Sequence, residues 1–157
     1  MTDYRKEFEQ VIREVSSALG KKIDSAQYEI FDRGVPHEPP KPKELDGKMG
    51  IYTFLYKDRF LKIGRVGSGS PQRFSYQHYK AKSAGSTLAD SLIADPKMGG
   101  KINDENVKDW IQKNCRRIDV LIDEKLGVFA VALIEAAFHY YYEPKYEGFD
   151  SQRKNKS

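Results

Sequence analysis

Apolar residues recur every three or four positions near both ends of the chain, a spacing typical of helices with one buried face. Over residues 4–19 this pattern predicts an amphipathic helix, with Asp3 as a candidate N-cap and Gly20 as the residue that stops it. Residues 125–142 predict a longer and mostly apolar helix. Pro144 brings that helix to an end, because proline cannot continue the hydrogen-bond ladder.

Two runs of aromatic and β-branched residues in the middle of the chain predict an antiparallel hairpin. The runs cover residues 50–56 and 60–66, and residues 57–59 would form a three-residue loop between them. Because side chains alternate between the two faces of a strand, Tyr52 and Lys62 are expected on the same side of the sheet. The predicted register pairs Tyr56 with Phe60, Phe54 with Lys62 and Tyr52 with Gly64.

Further segments complete the predicted fold. Residues 35–42 contain four prolines and predict a stiff, extended connector. Helices are predicted over residues 70–79, 87–94 and 104–113, and the alternating residues 117–123 predict a third strand. The chain is therefore expected to have a mixed α/β fold of the α+β type, in which a small three-stranded sheet, antiparallel or mixed, is flanked by helices.

The sequence divides into three parts. Residues 1–48 hold the N-terminal helix, a short strand or turn at residues 28–31, and the proline connector. Residues 49–149 hold the hairpin and the later helices and are expected to form the functional domain, while residues 150–157 form a polar tail. A chain of 157 residues has room for one compact core, so a single site is expected.

Composition excludes several classes of protein. Hydrophobic residues make up 39% and charged residues 32% of the chain, which is a globular balance and not that of a disordered protein. The longest apolar run, Leu126 to Ile134, is too short to span a bilayer, and the N-terminus does not resemble a secretory signal. The single cysteine, Cys115, rules out an internal disulfide and a cysteine-rich zinc site. We therefore expect a cytoplasmic protein with no membrane partner.

Positive charge is concentrated in one segment. The formal net charge of the chain is +4, but residues 57–82 contain seven basic residues and one acidic residue, a net +6 that leaves −2 for the remainder. Such an excess favours binding to a polyanion such as DNA, because neutralised phosphates release counterions; a solvated charged face is the alternative interpretation. The candidate nucleic-acid contacts are Lys57, Arg59, Lys62, Arg65, Arg73, Lys80 and Lys82.

Four short elements stand at wide spacing in the chain. Gly50-Ile51-Tyr52 opens the hairpin, Lys62-Ile63-Gly64 lies on its second strand, Arg73 lies near the start of a helix, and Glu135 lies on the long apolar helix. This arrangement resembles the GIY-YIG nuclease superfamily over residues 49 to about 149. It is most similar to restriction-type members, in which lysine can replace the tyrosine of the second motif.

The resemblance implies a metal-dependent DNA endonuclease that hydrolyses phosphodiester bonds. Glu135 would hold Mg²⁺ or Mn²⁺, Arg73 and Lys62 would bind the phosphate, and Tyr52 would activate or orient the attacking water. One site per chain suits a homodimer that cuts both strands, and the N-terminal helix could help to hold the dimer together. Many members also have an asparagine after the glutamate helix, and none stands in place near residues 149–152.

The residues themselves point the same way. Glu135 interrupts an apolar helix, so it must pair, protonate, bind a cation or lie at an exposed edge of that helix. Arg73 in the first turn of a helix is beside free backbone amides that favour phosphate, and Lys62 and Arg65 are expected to converge on it from the neighbouring strand. Such cations would lower the pKa of Tyr52.

His78 lies on the same predicted helix as Arg73 and is expected to transfer a proton or to contact the phosphate, although a lone histidine on a helix is more often structural. Neither His37 nor His139 has metal-ligand spacing, and neither is assigned a role. Two other functions remain open. A non-catalytic nucleic-acid-binding module on the same scaffold is favoured by the lysine at position 62, and an interaction domain that binds no nucleic acid is favoured by the modest net charge.

Overall fold

The computed structural model describes residues 1–98 and 100–146, and these form an α+β fold with one antiparallel sheet of order β1-β4-β2-β3. Among these residues, no helix combines the length and the apolar character needed to cross a membrane. The predicted polar tail, residues 150–157, and residues 149–152, where the asparagine of the family was sought, lie outside the described residues.

The strands are β1 (Tyr28–Gly34), β2 (Lys48–Tyr56), β3 (Arg59–Val66) and β4 (Arg116–Asp123). The α-helices are α1 (Tyr4–Ala18), α2 (Pro71–Ser75), α3 (Leu88–Ala94), α4 (Val107–Asn114) and α5 (Val128–Tyr142).

The sheet has four strands, so the prediction of three strands was wrong. The additional strand is β1, which pairs antiparallel with β4 and places Ile30 opposite Val120. The four residues considered there, 28–31, are too few to separate a strand from a turn by pattern alone. The pairing with β4 shows that they belong to a strand. The N-terminal helix was predicted correctly: the Asp3 side chain accepts a hydrogen bond from the Lys6 amide, and Gly20 follows with a positive φ of 70°.

The hairpin has a two-residue turn and not the predicted three-residue loop. Lys57 and Asp58 both have positive φ angles, 48° and 60°, as in a type I′ turn. Tyr56 therefore pairs with Arg59 and not with Phe60. A β-bulge in the next pair adds one residue to β3 and restores the predicted alignment of the functional positions. The pairs Phe54 with Lys62 and Tyr52 with Gly64 are as predicted.

Helices cover both faces of the sheet. One face packs against α1 and α5, and the core there includes Phe8, Ile12, Ile51 and Phe138, each fully buried. The apolar residues of α1 thus point inward. The other face packs against α2, α3 and α4. Its core includes Phe54, Phe74, Leu92 and Ile111.

The predicted helix over residues 70–79 is broken after Ser75. The carbonyl of Phe74, which a continuing helix would offer to the amide of residue 78, accepts a hydrogen bond of 2.7 Å from Arg117 Nη2 instead. The hydroxyl of Ser75 donates to the carbonyl of Pro40 at 2.8 Å. Tyr76 leaves the helical conformation, and one 3-10 turn, Gln77–Tyr79, follows.

Strand β3 forms one edge of the sheet, and the chain after α5 covers part of that edge. The amides of Lys145 and Tyr146 donate to the carbonyls of Phe60 and Leu61, at 3.0 and 2.7 Å. The Nε2 of His139 donates to the carbonyl of Ile63 at 2.7 Å. Gly64 comes directly after this covered stretch, and it lies beneath the candidate site.

Candidate active site

Tyr52 lies across the hairpin on top of Gly64. A Cβ atom built on Gly64 would stand 2.1 Å from the phenol oxygen and 2.3 Å from Cζ of Tyr52, so no residue with a side chain fits there without moving the ring. Tyr52 is buried, with only 2% of its surface exposed. The glycine of the second motif thus fixes where the hydroxyl of the first motif lies, which gives this sequence spacing a steric reason.

Arg73 reaches the Tyr52 hydroxyl from α2. Its Nη2 lies 3.5 Å from the phenol oxygen, and its Nη1 donates to the carbonyl of Gly85 at 3.1 Å. The helix that carries it has five residues, and the Ser70 side chain makes no capping hydrogen bond. The expected support from a helix dipole is therefore small, and the half-buried guanidinium is the group that could bind an anion.

Lys62 lies on the same face of the sheet as Tyr52, as predicted. Its side chain is almost fully buried, at 3% exposure, and Nζ donates to the hydroxyl of Ser86 at 3.0 Å. The ammonium group therefore lies on the Tyr52 side of the sheet, next to the loop before α3. Burying an ammonium group is costly unless it is paired or hydrogen-bonded, and the Ser86 hydroxyl supplies one such bond.

The ring of His78 packs against that of Tyr52, with centroids 4.2 Å apart and the ring planes tilted by 47°. Burial, and then the positive charges of Arg73 and Lys62, hold the pKa of His78 well below its usual 6.5, so the ring is neutral at pH 7. Its Nδ1 accepts the amide of Leu88 at 3.2 Å, which places the proton on Nε2. This buried Nε2 has no hydrogen-bond partner among the described residues. The ring is thus poised to donate a hydrogen bond, and the proton-transfer role expected from sequence is disfavoured.

The loop before α3, together with Leu88 at the start of that helix, contacts three of the predicted site residues, and sequence reasoning missed it. Gly85 accepts from Arg73, Ser86 accepts from Lys62, and the Leu88 amide donates to His78. Ser86 has a positive φ of 56°, which is unusual for a serine. The glycine and serine content was a turn signal, but nothing in the sequence connected this turn to the hairpin.

Glu135 lies on α5, which packs on the other face of the sheet. It lies half-buried on α5, close enough that its charge contributes to raising the pKa of Tyr52. His139 lies one helical turn later, and its bond to the edge strand fixes α5 beside β3. The sequence contained this signal, because positions four apart share a helix face, yet His139 had been assigned no role.

The expected lowering of the Tyr52 pKa was wrong. Burial raises the pKa of Tyr52 above 10, and the opposing effect of Arg73 does not overcome it. The hydroxyl is therefore protonated at neutral pH, so it can orient a water molecule or a phosphate oxygen but does not act as a phenolate base in this state.

Arg65 does not converge with Lys62. It is exposed, and it alternates to the opposite face of β3, the face on which α5 packs, because odd and even positions of a strand point opposite ways. Of the other predicted phosphate contacts, Lys57 and Arg59 are exposed at the hairpin turn, and Lys80 and Lys82 are exposed after α2. The basic residues are thus spread along the hairpin and beyond it.

A buried polar network beneath α2 was also missed. Arg117 is fully buried on β4, and its Nε donates to both carboxylate oxygens of Asp119 at 2.9 and 3.0 Å. Its other nitrogens donate to the Phe74 carbonyl and, at 3.0 Å, to the Tyr79 hydroxyl. Arg33 forms a second ion pair with Asp119. These contacts hold the backbone on both sides of Tyr76 and so position Arg73 and His78.

No protein-family model, curated protein or solved structure matches the chain. The assignment to a nuclease family therefore rests on the spaced motifs and on the geometry of the site, and it stands as a proposal.

The carboxylates can be tested for their fit to a divalent cation. Within residues 1–98 and 100–146, no group of three or more histidine, cysteine, aspartate or glutamate side chains could hold a metal ion. Among the described residues, Glu135 is the carboxylate whose charge contributes to the raised pKa of Tyr52. A single carboxylate is compatible with Mg²⁺ when a substrate phosphate and water complete its octahedral shell, so the site fits an ion that binds together with substrate.

Gly64→Ala is expected to displace Tyr52 and disturb the site. The added methyl would overlap the phenol oxygen, and overpacking of this kind costs about 1–3 kcal/mol of unfolding free energy. Urea unfolding measures the loss. Gly67→Ala is the matched control, because nothing lies within 4 Å of its Cβ position. Equal stability of the two variants would contradict the packing described above.

The stability of the protein should fall as the pH decreases from about 6.5 to about 5. Below pH 6.5 the unfolded chain takes up a proton at His78, whereas the buried ring of the folded protein does not. The contribution of His78 to the free energy of unfolding is therefore fully present above pH 6.5 and decreases below it, by up to about 1.4 kcal/mol per pH unit. Urea unfolding across this range should show a shallower slope for His78→Asn, whose amide oxygen can still accept the Leu88 amide. Burial also lowers the pKa of His37, which accounts for a residual slope. Parallel slopes for wild type and variant would contradict the prediction.

Proposed function

We propose that the chain is a metal-dependent endonuclease of GIY-YIG type that hydrolyses phosphodiester bonds in DNA. The observation that carries the proposal is the contact of Arg73 with the Tyr52 hydroxyl above Gly64, with Lys62 on the same face of the sheet. Three of the four elements of the resemblance are in or near contact there, and the charge of Glu135, the fourth, acts on the same hydroxyl. Cations beside a hydroxyl suit a phosphate, and a carboxylate suits a divalent cation bound with it.

Arg73 is the main phosphate-binding group in this proposal. Its guanidinium already lies 3.5 Å from the Tyr52 oxygen, and a planar fork of donors can bind two phosphate oxygens at once. Lys62 adds a second positive charge from the neighbouring strand. As negative charge grows on the non-bridging oxygens in the transition state, both cations stabilise it without having to reorganise.

Tyr52 orients the attacking water as a neutral hydroxyl. The water oxygen forms a bond to phosphorus while the bond from phosphorus to the leaving sugar oxygen breaks. The water loses a proton to solvent and the leaving oxygen takes one up, which gives a phosphate monoester and a free hydroxyl. A divalent cation held by Glu135 and a phosphate oxygen would supply Lewis-acid stabilisation of the developing charge.

His78 takes the role of a positioning residue. Its ring packs against the Tyr52 ring, and its neutral state avoids a third cation beside Lys62 and Arg73. Its Nε2 donor, which has no hydrogen-bond partner among the described residues, is a candidate contact for the substrate. Arg65 and the exposed lysines and arginines of the hairpin turn remain candidates for sequence-independent contacts to the DNA backbone.

The test is a cleavage assay on supercoiled plasmid and phage DNA of varied sequence, with Mg²⁺ or Mn²⁺. Nicked or linear products that disappear in EDTA are expected. Intact DNA after prolonged incubation with both metals, with a folded protein, would contradict the proposal.

The non-catalytic module remains the second candidate, because the Tyr52 hydroxyl stays protonated and the cations are already bound to the loop before α3. Salt-sensitive DNA binding without any cleavage would select this alternative. No binding at low salt would instead select the interaction domain.

A further inference from the structure

Helix α5 is apolar on its outer face as well as on its inner face. Val131, Ile134 and Phe138 are buried against the sheet, as expected for a core helix. The opposite face should carry polar residues if it met only water. Instead, Phe129 and Tyr140 are 86% and 89% exposed. We call this face the outer stripe; it consists of Phe129, Ala132, Leu133, Ala136 and Tyr140, which share one side of the helix. Phe129, Ala136 and Tyr140 are exposed, and Ala132 and Leu133 are half-buried.

A contiguous exposed apolar surface of this kind marks an interaction site. The apolar face of α1, which had been considered for dimer formation, is already used inside the molecule: Tyr4, Phe8 and Ile12 are buried in the core. The outer stripe carries no charged side chain. It therefore does not suit a DNA backbone, which is bound through cations.

We propose that the outer stripe binds a second copy of this chain, with the two α5 helices antiparallel about a two-fold axis. In this arrangement Phe129 lies against Tyr140 of the partner subunit, and the same contact forms a second time by symmetry. Ala132 and Ala136 lie at the centre, where small side chains allow the helix axes to approach to about 8–10 Å.

Charge at the two ends of α5 favours the antiparallel direction. Lys125 comes just before the helix and Glu143 just after it, and both are exposed. An antiparallel pair centred near Ile134 brings Lys125 close to Glu143 of the partner subunit, twice. A parallel pair would place like charges together and would also align the helix dipoles unfavourably.

This geometry places the two candidate sites on one side of the dimer. Glu135 lies on the flank of α5, between the outer stripe and the buried face. A two-fold axis perpendicular to both helices turns that flank to the same side in each protomer. The proposal does not rest on nuclease activity, but a dimer with both sites facing one way could act on both strands of one duplex.

The dimer is expected to be of moderate affinity. α5 has 15 residues, about four turns, and one helix face buries less than the roughly 800 Å² per partner of a standard interface. A dissociation constant of about 1–100 µM is expected.

Sedimentation equilibrium of the full chain without DNA tests the proposal. As the protein concentration increases through the range of the expected dissociation constant, about 1–100 µM, the average mass of the wild-type protein should rise from that of the monomer towards that of the dimer. Ala136→Glu places a charge at the centre of the outer stripe and should leave only monomer. Ala18→Glu is the matched control, because Ala18 is an exposed helical alanine on α1, and it should behave as wild type.

Charge reversal tests the direction of the helices. Lys125→Glu and Glu143→Lys should each weaken dimerisation by up to about tenfold, because each disturbs two symmetric pairs, and the double variant should recover the wild-type constant. A wild-type chain that stays monomeric throughout, or an Ala136→Glu variant that dimerises normally, would overturn the proposal. A double variant weaker than both single variants would overturn the antiparallel arrangement.

Discussion

Glu135→Gln is expected to reduce plasmid cleavage by about 100- to 1000-fold while leaving the fold intact. The amide has the shape of the carboxylate but neither the charge that holds a divalent cation nor the stabilisation that cation would bring. Because Glu135 is half-buried and flanks the core side of α5, the substitution should change the free energy of unfolding little. The rate of nicking in Mg²⁺ measures the effect.

DNA binding separates this effect from simple loss of structure. In EDTA, the Glu135 carboxylate repels the phosphate that Arg73 attracts, so Glu135→Gln should bind DNA as tightly as wild type or slightly more tightly. Glu9→Gln, at an exposed position on α1, is the control and should cut and bind normally. Undiminished cleavage by Glu135→Gln would remove Glu135 from the mechanism, and weaker binding in EDTA would show that the residue has a structural role.

The hairpin and the flanking helices could be predicted from sequence because their signals are local. Alternation fixes the face of Tyr52 and Lys62, and the predicted pairing of Tyr52 with Gly64 is confirmed although the turn has a different length. The turn is one residue shorter than predicted, and the bulge opposite Phe54 and Leu55 adds one residue to β3. The two differences from the prediction therefore compensate for each other. Helix α5 was equally clear, because its apolar run is long and Pro144 marks its end.

The surroundings of the site could not be predicted, because they depend on contacts between distant parts of the chain. The helix that carries Arg73 stops early because Arg117, over forty positions later, takes the carbonyl of Phe74. The burial of His78 depends on its contact with Leu88, at the start of α3, and no pattern in the sequence indicated that contact. The pKa of Tyr52 depended on burial, which outweighs the neighbouring cations that sequence reasoning had emphasised.

Arg117→Met is expected to lower the free energy of unfolding by about 3–5 kcal/mol, the usual cost of breaking a fully buried ion pair by removing one partner. The Asp119 carboxylate would keep only Arg33, and the Phe74 carbonyl and Tyr79 hydroxyl would lose their donor. Urea unfolding at pH 7 measures the loss. Arg65→Met, which removes an exposed arginine from β3, is the control and should change stability by less than about 0.5 kcal/mol.

Arg117→Lys distinguishes charge from geometry in the same network. A lysine can still pair with Asp119, but it lacks the planar fork that reaches the carboxylate, the Phe74 carbonyl and the Tyr79 hydroxyl together. Stability should therefore return only in part, with a loss of about 1–3 kcal/mol remaining from the unsatisfied groups. If lysine restores full stability, charge alone matters and the fork does not position α2. If the methionine variant loses less than about 1 kcal/mol, Arg117 does not hold the backbone around Tyr76, and the position of Arg73 has another cause.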